Sequence, residues 1–157
     1  METTSDGANV RFPPPAVYAA GLAIGIAAGR LFDWPGLGLR GELRSFFGGA
    51  LILAGIAVSL AGAGLFVRHR TAIIPYKAAS SLVTSGIYRW TRNPMYLGLA
   101  LIYLSVAGLF DSLAAIILLP LVLGIIQVLV IAREEAYLER AFGSEYLAYK
   151  TRVRRWI

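Results

Sequence analysis

The chain has 157 residues, of which 57% are hydrophobic and 15% are charged, and its mean hydropathy is +0.66. These values exclude an ordinary soluble globular domain and indicate an integral membrane protein with a single domain over residues 1–157. The absence of cysteine excludes disulfide bonds and thiolate chemistry, and the net charge of +6 comes from basic residues that flank apolar stretches, so we expect no nucleic-acid partner.

Two uncharged stretches in the first half of the chain predict two membrane spans. Residues 12–29 and 45–67 carry no charge, and each stretch is long enough to form one helix across about 30 Å of hydrocarbon. We place span one at about residues 13–32 and span two at about residues 45–67. The acidic residues Glu2 and Asp6 do not indicate a cleaved leader, because a leader would be cationic there.

Small residues repeat along both of these spans. On span one they are spaced by four residues, which puts them on one helix face and permits the backbone of a neighbouring helix to approach closely. The two faces consist of Gly21, Gly25 and Gly29 on span one, and of Gly55, Ser59 and Gly62 or Ala63 on span two. Helix packing accounts for both faces without a ligand.

The next apolar stretch is too long for one span. Residues 95–132 contain a single charge, Asp111, and as one helix these 38 residues would extend roughly 57 Å, nearly twice the thickness of the hydrocarbon. We therefore predict a tight hairpin, with span three at about residues 94–110, span four at about residues 112–132, and Asp111 as the cap of the returning helix. The sequence thus predicts an all-α, polytopic membrane fold with four transmembrane helices.

The basic residues assign the two sides of the membrane. Twelve of the fifteen Lys and Arg residues lie before span one, between spans two and three, or after span four. By the positive-inside rule, these segments and both termini are cytoplasmic. Arg30, Arg40 and Arg44 lie on the opposite side and weaken the asymmetry without reversing it. We expect an integral protein of a prokaryotic inner (plasma) membrane.

Polar residues concentrate in two cytoplasmic segments, 67–98 and 132–157. Because a short turn on the far side joins spans three and four, their near ends must lie side by side, and we expect residues 92–94 to contact residues 133–135. Asn93 followed by Pro94 is also a helix start, with Asn as the N-cap. Of the adjacent acids at 134 and 135, one would pair with an arginine and leave the other for a cationic ligand.

These residues also have structural interpretations. Arginines at a span end could contact anionic head groups, and aromatic residues beside them could form an interfacial belt. The residues concerned are Arg89 and Arg92, with Tyr88, Trp90 and Tyr96. His69 is the single histidine, so a zinc site is not expected. A nucleophile elbow is absent from the sequence, which gives hydrolase chemistry no support.

Two motifs resemble a known family. The segment LVTSGIYRWTRNPMYLG at 82–98, followed after a hairpin by REEAYLERAFGSEYLAYKTRVRRWI at 133–157, is similar to the membrane methyltransferases related to isoprenylcysteine carboxyl methyltransferase and phosphatidylethanolamine N-methyltransferase. The resemblance covers about residues 65–157 and implies an enzyme that uses S-adenosylmethionine, without a metal, at the cytosolic ends of the last helices. The acceptor would enter from the lipid as a prenylated thioether carboxylate, an amino phospholipid, or a small hydrophobic thiol or acid.

The resemblance also implies which residues form the site. The family pattern Y-R-x-x-R-(H/N)-P-x-Y-x-G falls on Tyr88, Arg89, Arg92, Asn93, Pro94, Tyr96 and Gly98, and the paired acids fall on Glu134 and Glu135. The family tail F-G-x-x-Y-x-x-Y-x-x-x-V-x-R falls on Phe142, Gly143, Tyr146, Tyr149, Val153 and Arg155. We expect catalytic roles for Arg92, Asn93 and Glu135. Donor binding is expected of Tyr88, Arg89, Arg92, Pro94, Tyr96, Gly98, Glu134, Glu135, Tyr146 and Tyr149.

One position departs from the family pattern. The eukaryotic prenylcysteine enzymes usually carry His where this chain has Asn93, and an amide cannot titrate as imidazole does. This difference weakens the transfer of a prenylcysteine substrate to this chain. An N-methylating enzyme would also need a base to deprotonate an amine, for which Glu134, Glu135 and His69 are the candidates, whereas a carboxylate acceptor needs none.

The chemistry of the donor suits these residue types. Arginines and the amides at a helix start suit its carboxylate, and carboxylates suit its ammonium group or ribose hydroxyls. Aromatic faces could shelter adenine or the sulfonium. Methyl transfer from a sulfonium is an in-line displacement, so the protein contributes mainly alignment and desolvation.

The tail after residue 133 predicts an amphipathic cytosolic helix. Gly143 ends one helical segment and Ser144 starts the next, and Tyr146, Tyr149 and Val153 share one face. The basic residues lie largely on the other side: Lys150, Arg152, Arg154 and Arg155. The helix would lie on the membrane as an anchor or close over the donor as a lid.

A non-enzymatic four-helix transporter or scaffold is the alternative from another functional class. A proton-coupled carrier requires an acid within a span, and spans one and two contain none. The sequence therefore favours an enzyme, with membrane lipids and a lipophilic acceptor as its partners.

Overall fold

The computed structural model describes residues 12–70 and 80–157, and these residues form helices and loops without any strand. The described residues contain five α-helices: α1 (Pro14–Leu31), α2 (Gly41–Arg68), α3 (Pro94–Leu109), α4 (Leu113–Ile126) and α5 (Ala132–Arg152). A short 3-10 helix, Gly86–Arg89, precedes α3, and a π-helical segment, Gln127–Ile131, joins α4 to α5 without a break. The predicted all-α fold is confirmed.

Within residues 12–70 and 80–157, two helices are long and apolar enough to cross a membrane. They are α2 and the continuous helix Leu113–Arg152, which contains α4, the π-helical segment and α5. The other two predicted spans also lie on helices, α1 and the shorter apolar α3. It stays a prediction that α1 and α3 cross the membrane, and so does the assignment of both termini to the cytoplasmic side. The predictions that concern Glu2, Asp6, Arg11 and Lys77 fall on residues outside the described ranges.

The glycine face of α1 packs against α4. A Cβ atom built on Gly25 would lie 2.5 Å from the Cα atom of Ala115, and one built on Gly21 would lie 2.3 Å from a methyl carbon of Val122. Gly29 lies at the same interface, beside Ser112. Only glycine permits this approach of the two backbones, so the predicted packing face of span one is confirmed.

A second small-residue face joins α2 to α3. A Cβ atom built on Gly55 would lie 2.7 Å from the carbonyl oxygen of Gly98, and one built on Gly98 would lie 2.6 Å from the carbonyl oxygen of Gly55. Gly62 is buried and faces Pro94 and Met95 at the start of α3. The predicted face of span two is confirmed, with Gly62 rather than Ala63 at the contact.

The predicted tight helical hairpin is confirmed as α3, a short turn and α4, but the residue that caps α4 is Ser112. The Ser112 hydroxyl accepts a hydrogen bond from the Ala115 amide at 3.2 Å. Asp111 has a left-handed φ of 55° and instead accepts from the Leu37 amide at 3.0 Å, with Arg44 Nη1 3.7 Å away. The prediction that Asp111 caps α4 was wrong, because its carboxylate holds the loop between α1 and α2.

The close approach at Gly25 predicts a clear stability difference between two glycine substitutions. Gly25→Ala should lower the free energy of unfolding by about 1–3 kcal/mol, because the added methyl group meets the backbone of Ala115. Gly124→Ala is the matched control: apart from the backbone of its own helix and its chain neighbours, no atom lies within 4 Å of its added Cβ, and alanine favours a helix by up to about 1 kcal/mol. Thermal unfolding in detergent would compare the two. Equal melting temperatures would contradict the packing described above.

Candidate active site

The start of α3 meets the start of α5 at the end of the bundle opposite the 110–112 turn. Arg92 Nη1 lies 3.2 Å from Glu135 Oε1, and the Tyr96 hydroxyl donates to Glu134 Oε1 at 2.6 Å. The Tyr18 hydroxyl of α1 donates to the Tyr96 carbonyl oxygen at 3.0 Å and ties a third helix to this junction. The predicted contact between the two polar segments is confirmed, with Glu135 as the partner of Arg92.

Glu135 is the centre of a buried charge cluster. The residue is 7% exposed, and it accepts from Arg155 Nε at 2.9 Å on one oxygen and from Arg155 Nη2 at 2.6 Å on the other. This bidentate geometry is the strongest form of a charged hydrogen bond. The hydrogen bond to Glu135 also raises the pKa of Arg155, so its guanidinium stays charged. With Arg92 on the same carboxylate, two cations share one anion and leave one net positive charge.

The backbone after α5 returns to the start of α3 and positions Arg155. The Thr91 hydroxyl and Asn93 Nδ2 both donate to the Arg155 carbonyl oxygen, at 3.2 and 2.9 Å, and the Arg92 amide donates to the Arg154 carbonyl oxygen at 3.0 Å. These three bonds fix the segment that carries the Arg155 guanidinium to Glu135.

Arg155 does not lie on the solvent side of the tail, where helical periodicity predicts it, so that prediction was wrong. The helix ends at Arg152, and Val153 is extended with φ −123° and ψ 130°, so the helical periodicity no longer applies two residues later. Trp156 Nε1 donates to Gln127 Oε1 of the π-helical segment at 3.1 Å and holds the extended segment from its other side. The family tail motif, which ends on this arginine, was the signal that could have identified Arg155.

Asn93 does not cap α3 with its side chain. It precedes Pro94 at the helix start as predicted, but its side-chain amide donates to the tail and its backbone amide donates to the Thr91 hydroxyl at 3.1 Å. The prediction of a side-chain N-cap was wrong, because the returning tail offers Asn93 a carbonyl acceptor. The predicted catalytic role of Asn93 stays a prediction, and through these contacts Asn93 would act as a positioning residue for Arg155.

Glu134 has a different environment from Glu135. It is half-buried and takes part in none of the ion pairs among the described residues, and its carboxylate accepts a hydrogen bond from the Tyr96 hydroxyl. Burial, together with the neighbouring charge of Glu135, raises the pKa of Glu134 to about 7, although the hydrogen bond from Tyr96 opposes that rise. The carboxyl group of Glu134 therefore changes its charge near neutral pH.

Buried tyrosines lie next to this pair of acids. The Tyr149 hydroxyl donates to the Tyr88 carbonyl oxygen at 2.7 Å, and Arg92 Nη1 donates to the Tyr146 hydroxyl at 3.5 Å. Burial raises the pKa of Tyr146 to about 12 and so keeps its hydroxyl neutral. Two buried polar atoms, the Tyr88 hydroxyl oxygen and Arg92 Nε, have no hydrogen-bond partner among the described residues. Such atoms are rare in folded proteins and are candidates for contact with a polar ligand.

Three residues singled out from the sequence lie apart from the cluster. Arg89 is exposed on the 3-10 helix, and His69 is exposed with its ring nitrogen 3.4 Å from the Ser85 hydroxyl. Gly98 lies in the contact between α2 and α3, where packing accounts for its lack of a side chain. The predicted donor-binding roles of Arg89 and Gly98 stay predictions. Within residues 12–70 and 80–157, no group of three acidic or imidazole side chains could hold a metal ion.

The break in the tail lies where the sequence predicts it. Gly143 has the left-handed φ of 50° and interrupts α5, and Tyr146 and Tyr149 beyond it are buried on one face. They pack with Tyr88 and Val83, so the second half of α5 covers the segment before α3. Whether this half also contacts the membrane as an anchor stays a prediction.

Comparison with known proteins identifies the family. The family model of phospholipid methyltransferases matches residues 43–145, about two thirds of the chain. The chain belongs to the phospholipid methyltransferase family. An uncharacterized protein of Haemophilus influenzae is 50% identical to it over 66 residues, which are 40% of this chain and 100% of that protein.

The family match contains most of the candidate site. Segment 82–98 and both acids, Glu134 and Glu135, lie inside the matched range, and Arg155 lies beyond it. The predicted resemblance to membrane methyltransferases is therefore confirmed. The family and the two long apolar helices together indicate a membrane methyltransferase.

Proposed function

We propose that this phospholipid methyltransferase family member is an S-adenosylmethionine-dependent enzyme that methylates a lipophilic acceptor. The observation that carries the proposal is the pair of adjacent acids in different environments: Glu135 pairs with Arg92 and Arg155, whereas Glu134 makes no ion pair within the described residues and accepts a hydrogen bond from Tyr96. Both lie where polar residues meet an apolar helical bundle. Such a junction suits the meeting of a polar donor with a lipid-soluble acceptor.

The residues present fit the donor. The net positive cluster around Glu135, with the unpartnered Arg92 Nε, suits a carboxylate, and the Tyr88 hydroxyl can donate to a ribose or adenine acceptor atom. The neighbouring rings of Tyr146 and Tyr149, with centroids 6.1 Å apart, offer π faces to a cationic sulfonium. When bound, S-adenosylmethionine supplies an electrophilic methyl group, and these side chains orient it and exclude water.

The environment of Glu134 favours an amine acceptor, and hence the amino phospholipid alternative, over the prenylcysteine carboxylate. A protonated amine must lose a proton before its lone pair can form the new carbon–nitrogen bond, as the carbon–sulfur bond of the donor breaks. Glu134 can accept that proton, since a base is most effective when its pKa lies near the working pH. Glu135 is held by two arginines and His69 is exposed away from the cluster, so Glu134 is the best placed of the three candidate bases.

Calorimetric titration of the detergent-solubilised protein tests the donor. We expect binding of both S-adenosylmethionine and its demethylated product, with Arg92→Ala weakening binding by about 1–3 kcal/mol because a charged hydrogen bond is lost. Arg140→Ala is the matched control, since Arg140 is exposed on the same helix as Glu134. No binding of either compound at millimolar concentration would contradict the proposal and favour a transporter or scaffold.

Transfer of a labelled methyl group then tests the acceptor. With vesicles that contain phosphatidylethanolamine and, separately, a prenylated cysteine, we expect label in the phospholipid amine. Label in the prenylcysteine ester alone would support the carboxylate alternative. Donor binding without label in either compound, or in a total lipid extract, would indicate a family member that has lost the activity.

A further inference from the structure

A cavity of about 340 Å³ lies at the end of the bundle opposite Glu134 and Glu135. It is formed by the last turn of α1, the loop that follows, and the turn between α3 and α4. The whole length of α3, which is 16 residues, separates it from the candidate active site, a distance of roughly 24 Å at 1.5 Å per residue. Its volume is near the lower end of the range for small-molecule pockets.

The cavity wall contains two opposite charges that do not pair with each other. Arg30 lies with its guanidinium carbon 5.7 Å from the ring centroid of Phe110, and no ion pair of Arg30 or Asp33 occurs within the two described ranges. Asp111 also lines the cavity, but its carboxylate is already engaged by the Leu37 amide and by Arg44. One cation and one anion, both exposed to solvent and in no ion pair among the described residues, therefore line the same space.

The backbone after α1 brings these two charges together. The Trp34 amide donates to the Gly29 carbonyl oxygen at 2.9 Å, and Asp33 has a left-handed φ of 48°, so the chain turns back over the last turn of α1. A non-glycine residue adopts this conformation only at some cost, which the closed turn offsets. The turn places Arg30, Asp33 and Trp34 on one wall of the cavity.

Exposed apolar side chains belong to the same segment as the charged residues. Leu31 and Phe32, which lie between Arg30 and Asp33 in the sequence, are 77% and 74% exposed, and Trp34, which lines the cavity, is 47% exposed. Exposed groups of this size at the end of a helical bundle in a membrane protein are suited to contact with acyl chains, and tryptophan is typical of the level of the head groups. A ligand that matches both the charged cavity wall and the exposed apolar side chains needs one positive group, one negative group and an attached apolar chain.

We propose that this cavity binds the head group of a zwitterionic phospholipid of the phosphatidylethanolamine type, in the leaflet opposite the candidate active site. Arg30 would bind the phosphate, and Asp33 would bind the ammonium group beside the face of Trp34. A soluble zwitterion would satisfy the charges but would leave the exposed apolar side chains of this segment uncovered. This site is separate from methyl transfer, and it holds whether or not the function proposed above is correct.

Native mass spectrometry of the full-length protein in detergent tests the site. The protein is exposed in turn to phosphatidylethanolamine, phosphatidylglycerol and free phosphoethanolamine. The wild-type protein should retain phosphatidylethanolamine in preference to phosphatidylglycerol. Arg30→Gln should reduce retention of both lipids, by roughly tenfold for the loss of a charged hydrogen bond. Asp33→Asn should remove the preference and leave the retention of phosphatidylglycerol unchanged.

Two matched variants control for charge alone. Arg40→Gln and Glu42→Gln remove the same charges from exposed residues of the neighbouring segment, which do not line the cavity, and should retain the lipid as the wild-type protein does. Equal retention of the two lipids by the wild-type protein, or an equal loss in the control variants, would overturn the proposal. Tight binding of free phosphoethanolamine would overturn the assignment to a lipid. Unchanged helical content and unchanged melting temperatures would show that each variant is folded.

Discussion

Glu135→Ala is expected to lower the free energy of unfolding by about 3–5 kcal/mol, the cost of breaking a buried ion pair by removing one partner. Glu135 is 7% exposed, and its carboxylate is the common partner of Arg92 and Arg155. Without it, two guanidinium groups face each other with no anion between them. Thermal or denaturant unfolding in detergent would measure the loss.

The ion pair between Glu139 and Lys150 provides the matched control on the same helix. Both side chains are about one third exposed, and pairs of this kind contribute at most about 1 kcal/mol. Glu139→Ala should therefore change stability little. If the two alanine variants unfold alike, the buried cluster does not hold the start of α3 to the tail.

Arg155→Gln should have an intermediate effect. Glu135 then keeps Arg92 at 3.2 Å and loses only the bidentate partner, so we expect a loss of about 1.5–3 kcal/mol, the range for a hydrogen bond to a charged group. Donor affinity should fall as well, because the cluster loses its net positive charge. A loss of donor affinity with unchanged stability would place Arg155 against the donor rather than in the framework.

The helices and the junction of the two polar segments could be predicted from the sequence. Apolar length determines how many helices form, and the 38 residues from 95 to 132 are too long for one span, so a turn near Asp111 was required. Because the turn is short, the two helices lie side by side, and their ends remote from the turn must also be neighbours. This predicts the contact that Arg92 makes with Glu135. Glycine spacing likewise identified the packing faces because helical geometry is regular.

The details that failed lie where the chain is irregular. Arg155 follows an extended residue, and periodicity has no meaning beyond a helix end. Asp111 and Ser112 are both good caps, and only the position of the loop after α1 shows that the aspartate is already engaged. Arg89 and Arg92 look equivalent in the motif, but the 3-10 helix exposes Arg89 while the segment after it points Arg92 into the cluster.

Glu134→Gln is expected to reduce methyl transfer to an amine by about 10²–10⁴-fold, the usual contribution of a general base, with donor affinity much less affected. The wild-type rate should rise as pH increases through about 7, because only the ionised carboxylate accepts a proton, and the glutamine variant should lose this dependence. Glu145→Gln removes an exposed acid from the same helix and should leave the profile unchanged.

Stability gives a second measure of the same ionisation, independent of activity. The folded pKa of Glu134 is raised above the usual 4.5, so between pH 4.5 and about 7 the native state binds more protons than the unfolded state. The contribution of this group to the free energy of unfolding is therefore full below pH 4.5, falls as pH rises, and levels off above about 7. Glu134→Gln should remove that slope.

The Tyr96→Phe variant distinguishes a role of Glu134 as the base from a general loss of activity caused by a change in the site. The Tyr96 hydroxyl stabilises the ionised form of Glu134 through a hydrogen bond of 2.6 Å, so its removal should raise the pKa of Glu134 and move the rate profile to higher pH. If the pH–rate profile of Tyr96→Phe has a displaced midpoint but reaches nearly the wild-type maximal rate at high pH, then the substitution has changed only the ionisation of the base. A profile that keeps its midpoint in both Tyr96→Phe and Glu134→Gln would assign the titration to another group, and the amine acceptor would lose its main support.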